Sequence, residues 1–413
     1  MLKNLYIKLC GLILLGVSVV GQAQPGHMHD HAADAATPLA TSAAFDAKGS
    51  LWRVRVEDGF VLVDHSDDFG KEFSKAQKIN RQPQRIGTEG DARPKIAIGP
   101  EGNLYLTWTQ ALSKPYSGHI WFARSTDGGR SFSNPVIVHE DRAEITHRFD
   151  ALAVAPTGRV FVAWVDKRDL IAAQAVNQPY EGAAIYYAIS DDGGDSFAPE
   201  RKLADASCEC CRIALAVQPA GTVVGLWRHL FEGGVRDHAI AEIDPGKKID
   251  PGNKPLIHRA TFGNWKIDAC PHHGPALARG GDWGWHMAWF DGESESSKAG
   301  LYYARMDGAA WVSSPAKRFG DAERQAGHPA LLSLNGHNIE EVWLAWRELS
   351  DEGSQLRLAY SGDGGRSWDA ARDIAATAGS ADYPQLLSYQ GRAYLAWNTA
   401  REGFRLITLE AAP

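Results

Sequence analysis

The 413-residue chain carries 43 Lys and Arg against 50 Asp and Glu, a formal net charge of -7, with its basic residues scattered along the sequence. That balance excludes nucleic acid and an anionic membrane surface as the natural partner, because both demand a concentrated positive field. Forty-two glycines and 14 tryptophans, without a long amphipathic helical pattern, predict an all-β chain with ample length to bury a core in one closed fold.

The N-terminus begins with Lys3 and Lys8, continues as an apolar run from Leu9 to Val20, and ends in the small residues Gly21 and Ala23. This reads as a secretory signal over residues 1–23, too short in its apolar part to remain as a membrane span. The expected product is periplasmic or secreted, with no membrane span after signal removal. Cys10 leaves with the signal, and the remaining four cysteines are Cys208, Cys210, Cys211 and Cys270.

Residues 24–42 lack an apolar period and carry Gly26-His27-Met28-His29-Asp30-His31. The segment reads as a flexible leader, either a solvated tail or an arm whose thioether and imidazole groups capture metal. Those groups suit copper better than calcium or magnesium, which prefer oxygen ligands.

From residue 43 to 413 the sequence repeats. Tryptophan closes an apolar run at Trp108, Trp164, Trp227, Trp289, Trp346 and Trp397, and Arg55 holds the equivalent place in an earlier unit. A period of roughly fifty to sixty residues without helical phase is propeller spacing. The count predicts a single β-propeller of four-stranded blades, seven favoured over six. The last unit, Tyr383 to Leu409, shows only three strands, so its outer strand is either missing or supplied by residues before Ala43. The six tryptophans repeat too regularly to be a ligand platform and are assigned to the core.

Three turns share one pattern: Ser125-Thr126-Asp127-Gly128-Gly129-Arg130-Ser131-Phe132, Ser190-Asp191-Asp192-Gly193-Gly194-Asp195-Ser196-Phe197 and Ser361-Gly362-Asp363-Gly364-Gly365-Arg366-Ser367-Trp368. Ser66 to Phe73 is a weaker copy. They resemble the Asp-box, or BNR, repeat of the sialidase superfamily, in which such turns are structural and lie on the face away from the active site. The resemblance covers nearly all of the chain after Ser42, but sialidases have six blades rather than seven.

If the first strand of each unit is innermost, the starts of these strands converge on one funnel, opposite the Asp-box-like turns. In chain order the starts offer Arg93, His147 and Arg148, Cys208 to Arg212, Cys270 to His273, His328, then Asp382 and Tyr383. Loops after the tryptophans add Asp166, Lys167 and Arg168, then Arg228 and His229, Asp291, Arg347 and Arg401. The charged stretch from Asp166 to Arg168 is expected to be solvent-exposed.

The most unusual stretch is Ser207-Cys208-Glu209-Cys210-Cys211-Arg212, and its expected partner is Asp268-Ala269-Cys270-Pro271-His272-His273-Gly274, one repeat later. Thiolates beside imidazoles suit Cu(I) or Zn(II), and export together with the leader favours copper, with zinc as the alternative. The candidate ligands are Cys208, Cys210, Cys211, Cys270, His272 and His273, with His328, His147 and His229 further away in the sequence. Two disulfides, or a redox-active or substrate-linked thiol site, are the competing readings.

What the sialidase resemblance implies is different chemistry: an arginine cluster for a substrate carboxylate, a tyrosine activated by a glutamate, and an aspartate as acid/base. Arg93, Arg148 and Arg212, with Tyr383 and Asp382, are the nearest matches, although no tyrosine and glutamate pair is evident. Salt-bridging between blades is the plainer role for the arginines. Expected partners are therefore a metal ion or small anionic ligand, together with a periplasmic protein.

Overall fold

The computed structural model describes residues 39–243, 255–267, 269, 271–292, 298–321, 323–335 and 340–411. The predicted signal, the Gly26–His31 cluster and Cys270 lie outside the described residues.

Continuous apolar runs dictate the architecture. Val160–Asp166 is buried along its whole length and Leu104–Ala111 nearly so, because blades stack on both faces of each tryptophan strand. All six repeat tryptophans are buried, with Trp108, Trp164 and Trp346 fully so. The first strands of several repeats are instead rich in alanine, as in Ser42–Phe45, Ala214–Val217 and Ala276–Arg279, since there is little room where strands crowd around the axis.

Seven sheets result, all antiparallel and all joining strands consecutive in sequence. They span residues 42–78, 95–137, 147–207, 214–259, 276–319, 327–377 and 385–408, and are called blades 1 to 7. Six blades have four strands. Blade 7 has three, Gln385–Tyr389, Arg392–Thr399 and Gly403–Thr408, so among the described residues its outer strand is missing. Each inner strand lies beside the next, and that of blade 7 lies beside that of blade 1, Ser42–Phe45, which closes the ring.

Among the described residues, closure does not use a shared outer strand. The segment before Ser42 crosses to blade 7, where Thr41 N donates to Asp382 Oδ2 at 2.9 Å and Gln385 Nε2 donates to Thr41 O at 2.6 Å. Asn398 Nδ2 reaches Leu39 O at 3.1 Å. Asp382 also accepts from Arg93 at 3.1 Å, which ties blade 2 into the same seam.

Among the described residues one α-helix interrupts the β plan, Arg168–Ala175, immediately after the tryptophan strand of blade 3. The expectation of a solvent-exposed loop from Asp166 to Arg168 is corrected here, since Asp166 is fully buried. Its carboxylate accepts from Trp164 Nε1 at 2.9 Å and from Arg168 Nη2 at 2.8 Å, while Arg168 also reaches Glu200 at 2.7 Å. Burial is possible because the charge is paired.

The repeated Ser-x-Asp turns explain how neighbouring blades meet. In blade 2, Ser125 Oγ donates to Asp127 Oδ1 at 2.8 Å and accepts from Gly129 N at 2.9 Å, and Ser131 N donates to Asp127 Oδ1 at 3.0 Å. Blades 3 and 6 repeat this set at Asp192 and Asp363. The turn holds Gly129 at φ +78°, where a Cβ would lie 2.2 Å from Trp52 of blade 1. Gly194 meets Phe122 and Gly365 meets Tyr303 in the same way, so each turn docks on an aromatic of the preceding blade.

Gly129→Ala is therefore expected to cost about 2–5 kcal/mol through left-handed strain and overpacking. Thermal denaturation should show a Tm lower by about 3–6 °C. Gly128→Ala, at φ +70° with nothing within 4 Å of an added Cβ, should show strain alone and a smaller fall.

Candidate metal centre

The outer strand of blade 3, Arg201–Ser207, ends at Ser207, which bridges to His229 beyond the tryptophan strand of blade 4. Cys208 N then donates to Arg228 O at 2.9 Å. A tight turn at Glu209 and Cys210 brings the chain to the start of the inner strand of blade 4, so three cysteines fold back over one point. They are 2%, 7% and 3% exposed at Cys208, Cys210 and Cys211, and pack with Ala92, Phe149, Ile213 and Trp227.

The far end of the loop is fixed by Arg212. Its Nε donates to Pro275 O at 2.9 Å, its Nη2 to Pro329 O at 2.6 Å, and its Nη1 pairs with Asp91 Oδ1 at 2.7 Å. One guanidinium thus joins the inner-strand starts of blades 2, 4, 5 and 6. Gly274 makes the passage possible, because a Cβ there would lie 2.0 Å from Arg212 Cγ. This accounts for the glycine that closes the Cys270-Pro271-His272-His273-Gly274 stretch.

Sulfur positions are those of unbonded thiols held together. Cys208 Sγ is 3.7 Å from Cys210 Sγ and 3.3 Å from Cys211 Sγ, and one ligand atom from each of the three lies within 4.8 Å of the others. A disulfide needs about 2.05 Å, so Cys208 is not disulfide-bonded to Cys210 or Cys211. Two thiolates on one tetrahedral ion with metal–sulfur bonds of about 2.3 Å sit about 3.8 Å apart. The observed spacing is close to that of ligands sharing an ion.

Charge at the sulfurs is uneven. The thiols of Cys210 and Cys211 donate to Cys208 and hold its pKa well below the ordinary thiol value against the opposing effect of burial, with help from the Arg228 charge. Arg236 Nη1 also donates to Cys208 Sγ at 3.7 Å. Cys211 is pushed up, first because it donates to Cys208 and then by burial. Ionisation is thus favoured at Cys208 and opposed at Cys211, and a thiophilic cation would replace the protons these sulfurs share with direct bonds.

Solvent approaches through a cleft of about 700 Å³, whose walls include Glu181, Glu209, Leu230, Arg236 and Lys266. Lys167 pairs with Glu209 across the turn. Arg236 both lines the cleft and contacts Cys208, which makes it the residue between solvent and sulfur.

The candidate histidines divide into separate groups. His273 stacks on Phe290 at 4.2 Å and lies 4.5 Å from His328, which in turn stacks on Tyr383 at 3.6 Å. Burial pushes His273 down to about 3 and His328 well below its usual range, so both rings are neutral. Their Nδ1 atoms have no hydrogen-bond partner. Arg228 connects this group to the cysteines, donating to His273 O at 3.3 Å while its own carbonyl accepts from Cys208 N. His272 is exposed. His147 does not join the cysteines; it clusters with His119 and His139. His229 packs on Phe231 at 4.7 Å.

The three arginines expected at the funnel are engaged by protein groups. Arg93 pairs with Asp382 and donates to Thr41 O and Tyr383 O, at 3.2 and 3.0 Å. Arg148 reaches Glu89 at 2.9 Å, and Arg212 is spent as described. Burial pushes the Tyr383 hydroxyl up, and Asp91 adds to the effect, which is the reverse of what a nucleophilic tyrosine requires. Burial likewise raises Asp382, although Arg93 opposes it.

Asp91 and Arg236 were not among the residues singled out in the sequence, although both touch the cysteine loop or its anchor. Asp91 sits two residues before a recognised strand start, which is the signal that could have found it. Arg236 lies in a hairpin beyond the tryptophan strand and carries no local mark.

No known protein-family model and no curated protein sequence matches the chain. Solved structures do. A Hadza microbial sialidase aligns over 88% of this chain and 74% of its own with a TM-score of 0.50 at 14% identity. The intramolecular trans-sialidase from Ruminococcus gnavus aligns over 78% and 95% with 0.51 at 10% identity. An ulvan lyase of a polysaccharide lyase family aligns over 90% and 92% with 0.53 at 9% identity. The fold is thus a sialidase-like β-propeller, and at these identities the likeness extends to the scaffold alone.

Two outcomes follow from the geometry. Arg212→Lys keeps the charge but loses the planar fork, and should cost about 3 kcal/mol or more in lost charge-assisted hydrogen bonds. Its Tm should fall by about 4 °C or more. In reduced, metal-free protein, thiolate absorbance near 240 nm should already be present at pH 7 and disappear as pH falls. Cys208→Ser should abolish that absorbance, and Arg236→Leu should move its midpoint upward by about one pH unit.

Proposed function

We propose that this protein is an exported metal-binding propeller that holds a soft transition-metal ion, Cu(I) in first place and Zn(II) as the alternative, on Cys208, Cys210 and Cys211. The observation that carries this reading is the buried triad of unbonded sulfurs spaced 3.3 and 3.7 Å from Cys208. Soft thiolates select Cu(I) and Zn(II) over the hard cations, and three of them in one plane suit the low coordination numbers of Cu(I). Zn(II) requires a fourth ligand for a closed tetrahedral site. Cys270, one repeat later in the sequence, is the candidate for it.

Arg228 and Arg236 stabilise the thiolate of Cys208 in the metal-free protein and offset part of the negative charge once all three sulfurs are ionised. The anchors at Arg212 and Cys208 N hold the loop in its folded-back form, so ligand ordering costs little on binding. The signal and Met/His leader expected from the sequence support a periplasmic or secreted setting, for which metal storage, delivery to a periplasmic protein or redox work are the proposed roles.

The second reading, a glycoside hydrolase acting on an acidic sugar, draws on the scaffold likeness alone. Arg93 and Arg212 are tied to carboxylates and carbonyls of the protein itself, and displacing them would unpair buried groups.

Reduced protein titrated with Cu(I) against a chromophoric chelator should bind one equivalent tightly. Cys208→Ser or Cys211→Ser should weaken that equivalent by about 100-fold or more. Elemental analysis after growth in copper should find the same metal in the purified protein. Protein that takes up neither Cu(I) nor Zn(II) when reduced, and that hydrolyses a fluorogenic sialoside in an Arg212-dependent manner, would replace this reading with the second.

A further inference from the structure

A second constellation of metal-ligating side chains lies at the seam of blades 2 and 3, and it is independent of the cysteines. His119 stands on the third strand of blade 2, Gly118–Ser125; His139 follows the outer strand of that blade; His147 begins the inner strand of blade 3. One ring nitrogen from each lies within 4.8 Å of the other two. His139 and His147 are wholly buried and His119 is half-buried.

Hydrogen bonding fixes what each ring can do. His147 Nδ1 is 3.0 Å from Gly118 O, which can only accept, so Nδ1 carries the proton and Nε2 a lone pair. That Nε2 has no hydrogen-bond partner, yet it faces Asp166 Oδ2 at 3.7 Å and Asp141 Oδ1 at 4.0 Å. A lone pair aimed at two carboxylates in a dry site is electrostatically uphill, and a cation between them reverses the sign. His119 Nδ1 is likewise buried without a partner.

His139 has no free nitrogen. Its Nε2 accepts from Ile120 N at 3.1 Å and its Nδ1 donates to Asp141 O at 2.5 Å. Its ring lies parallel to that of His147, 4.0 Å away at 11°. It holds the His147 ring and the Asp141 backbone in place, so it is a positioning residue. Asp166 is already satisfied by Trp164 and Arg168, whereas Asp141 Oδ1 accepts only from Ala143 N at 2.7 Å and its Oδ2 lies 3.9 Å from Arg168 Nε, so the Asp141 carboxylate keeps lone pairs for an ion.

We propose that His119, His147 and the Asp141 carboxylate bind a borderline divalent cation, Zn(II) or Cu(II), at the seam of blades 2 and 3. Two imidazoles and a carboxylate suit these ions, whereas Cu(I) is served by sulfur and Ca²⁺ or Mg²⁺ by oxygen. Burial lowers both His119 and His147, which keeps these imidazoles neutral and their lone pairs ready. The half-buried edge of His119 gives the approach from solvent. An ion here joins two blades, and it differs in class from the one assigned to the cysteines.

The test uses the full chain with the other donors silenced: Cys208, Cys210, Cys211 and Cys270 changed to serine, and His27, His29 and His31 changed to alanine. Titrated with Zn(II) against a chromophoric chelator, this protein should bind one equivalent, and His119→Ala should abolish it. Loaded with Cu(II), it should show hyperfine coupling to two imidazole nitrogens by electron paramagnetic resonance. Should the multiple variant fail to fold, His119→Ala in the otherwise unaltered chain should bind one zinc fewer than the parent. An unchanged zinc count in the single variant, or a silenced chain that folds but binds no zinc, would overturn the assignment. Neither result bears on Cu(I) uptake by the cysteines.

Discussion

The guanidinium of Arg212 is the constraint on which the centre of this molecule depends. Closing seven blades around an axis leaves the inner-strand starts pointing at one another with carbonyls and carboxylates that adjacent strands do not satisfy. Arg212 answers four of these starts at once, through Asp91, Pro275 and Pro329 and through its own backbone in blade 4. Lysine has the charge for this but not the fork, since a planar group with five donors in fixed directions is what three separated acceptors require. Arg93 does the equivalent work where the ring closes, between blade 2, the Leu39–Thr41 segment and blade 7.

That use of arginine separates this propeller from what its scaffold likeness suggests. An arginine that binds a substrate carboxylate must leave its donors open. Here the donors are committed, in buried or half-buried surroundings where withdrawing them would leave Asp91 and Asp382 uncompensated. The same commitment serves the cysteines. Because Arg212 follows Cys211 directly, whatever rigidity the four-blade junction confers is passed to the sulfur loop, whose other end is held at Arg228 O. The loop is short and buried and has fixed ends, and such a loop arranges its ligands before an ion arrives.

The repeat was legible in the sequence because packing must recur. Each tryptophan fills the same space between blades, so Trp108 to Trp397 announce the blade count, and even Arg55 could be placed by its spacing from Gly49. The cysteines were legible because Cys208, Cys210 and Cys211 are close in the chain itself. His147 was read as a companion of the cysteines from its strand-start position, but position along an inner strand says nothing about which seam a side chain turns toward. His119 and His139 sit on a third strand and beyond an outer strand, each alone in its local sequence, and only the packing of blade 2 against blade 3 brings them to His147. The helix at Arg168–Ala175 is too short to show a period, and its charged start looked like surface because its carboxylate partners, Asp166 and Glu200, are 34 residues apart.

The two metal assignments differ in what the fold supplies. At the cysteines the ligands come from one turn, and the propeller contributes rigidity and two arginines, so binding strength rests on thiolate character. At the histidines each ligand comes from a different element, and the propeller contributes the meeting itself. A metal at the first site tunes a loop, whereas a metal at the second cross-links blade 2 to blade 3 and stabilises only the native ring, since the unfolded chain has no such arrangement of donors. The seam is well placed for such a link. His147 begins the inner strand of blade 3 and Asp141 lies in the connection that leads to it from blade 2, so an ion held there spans the joint between consecutive blades.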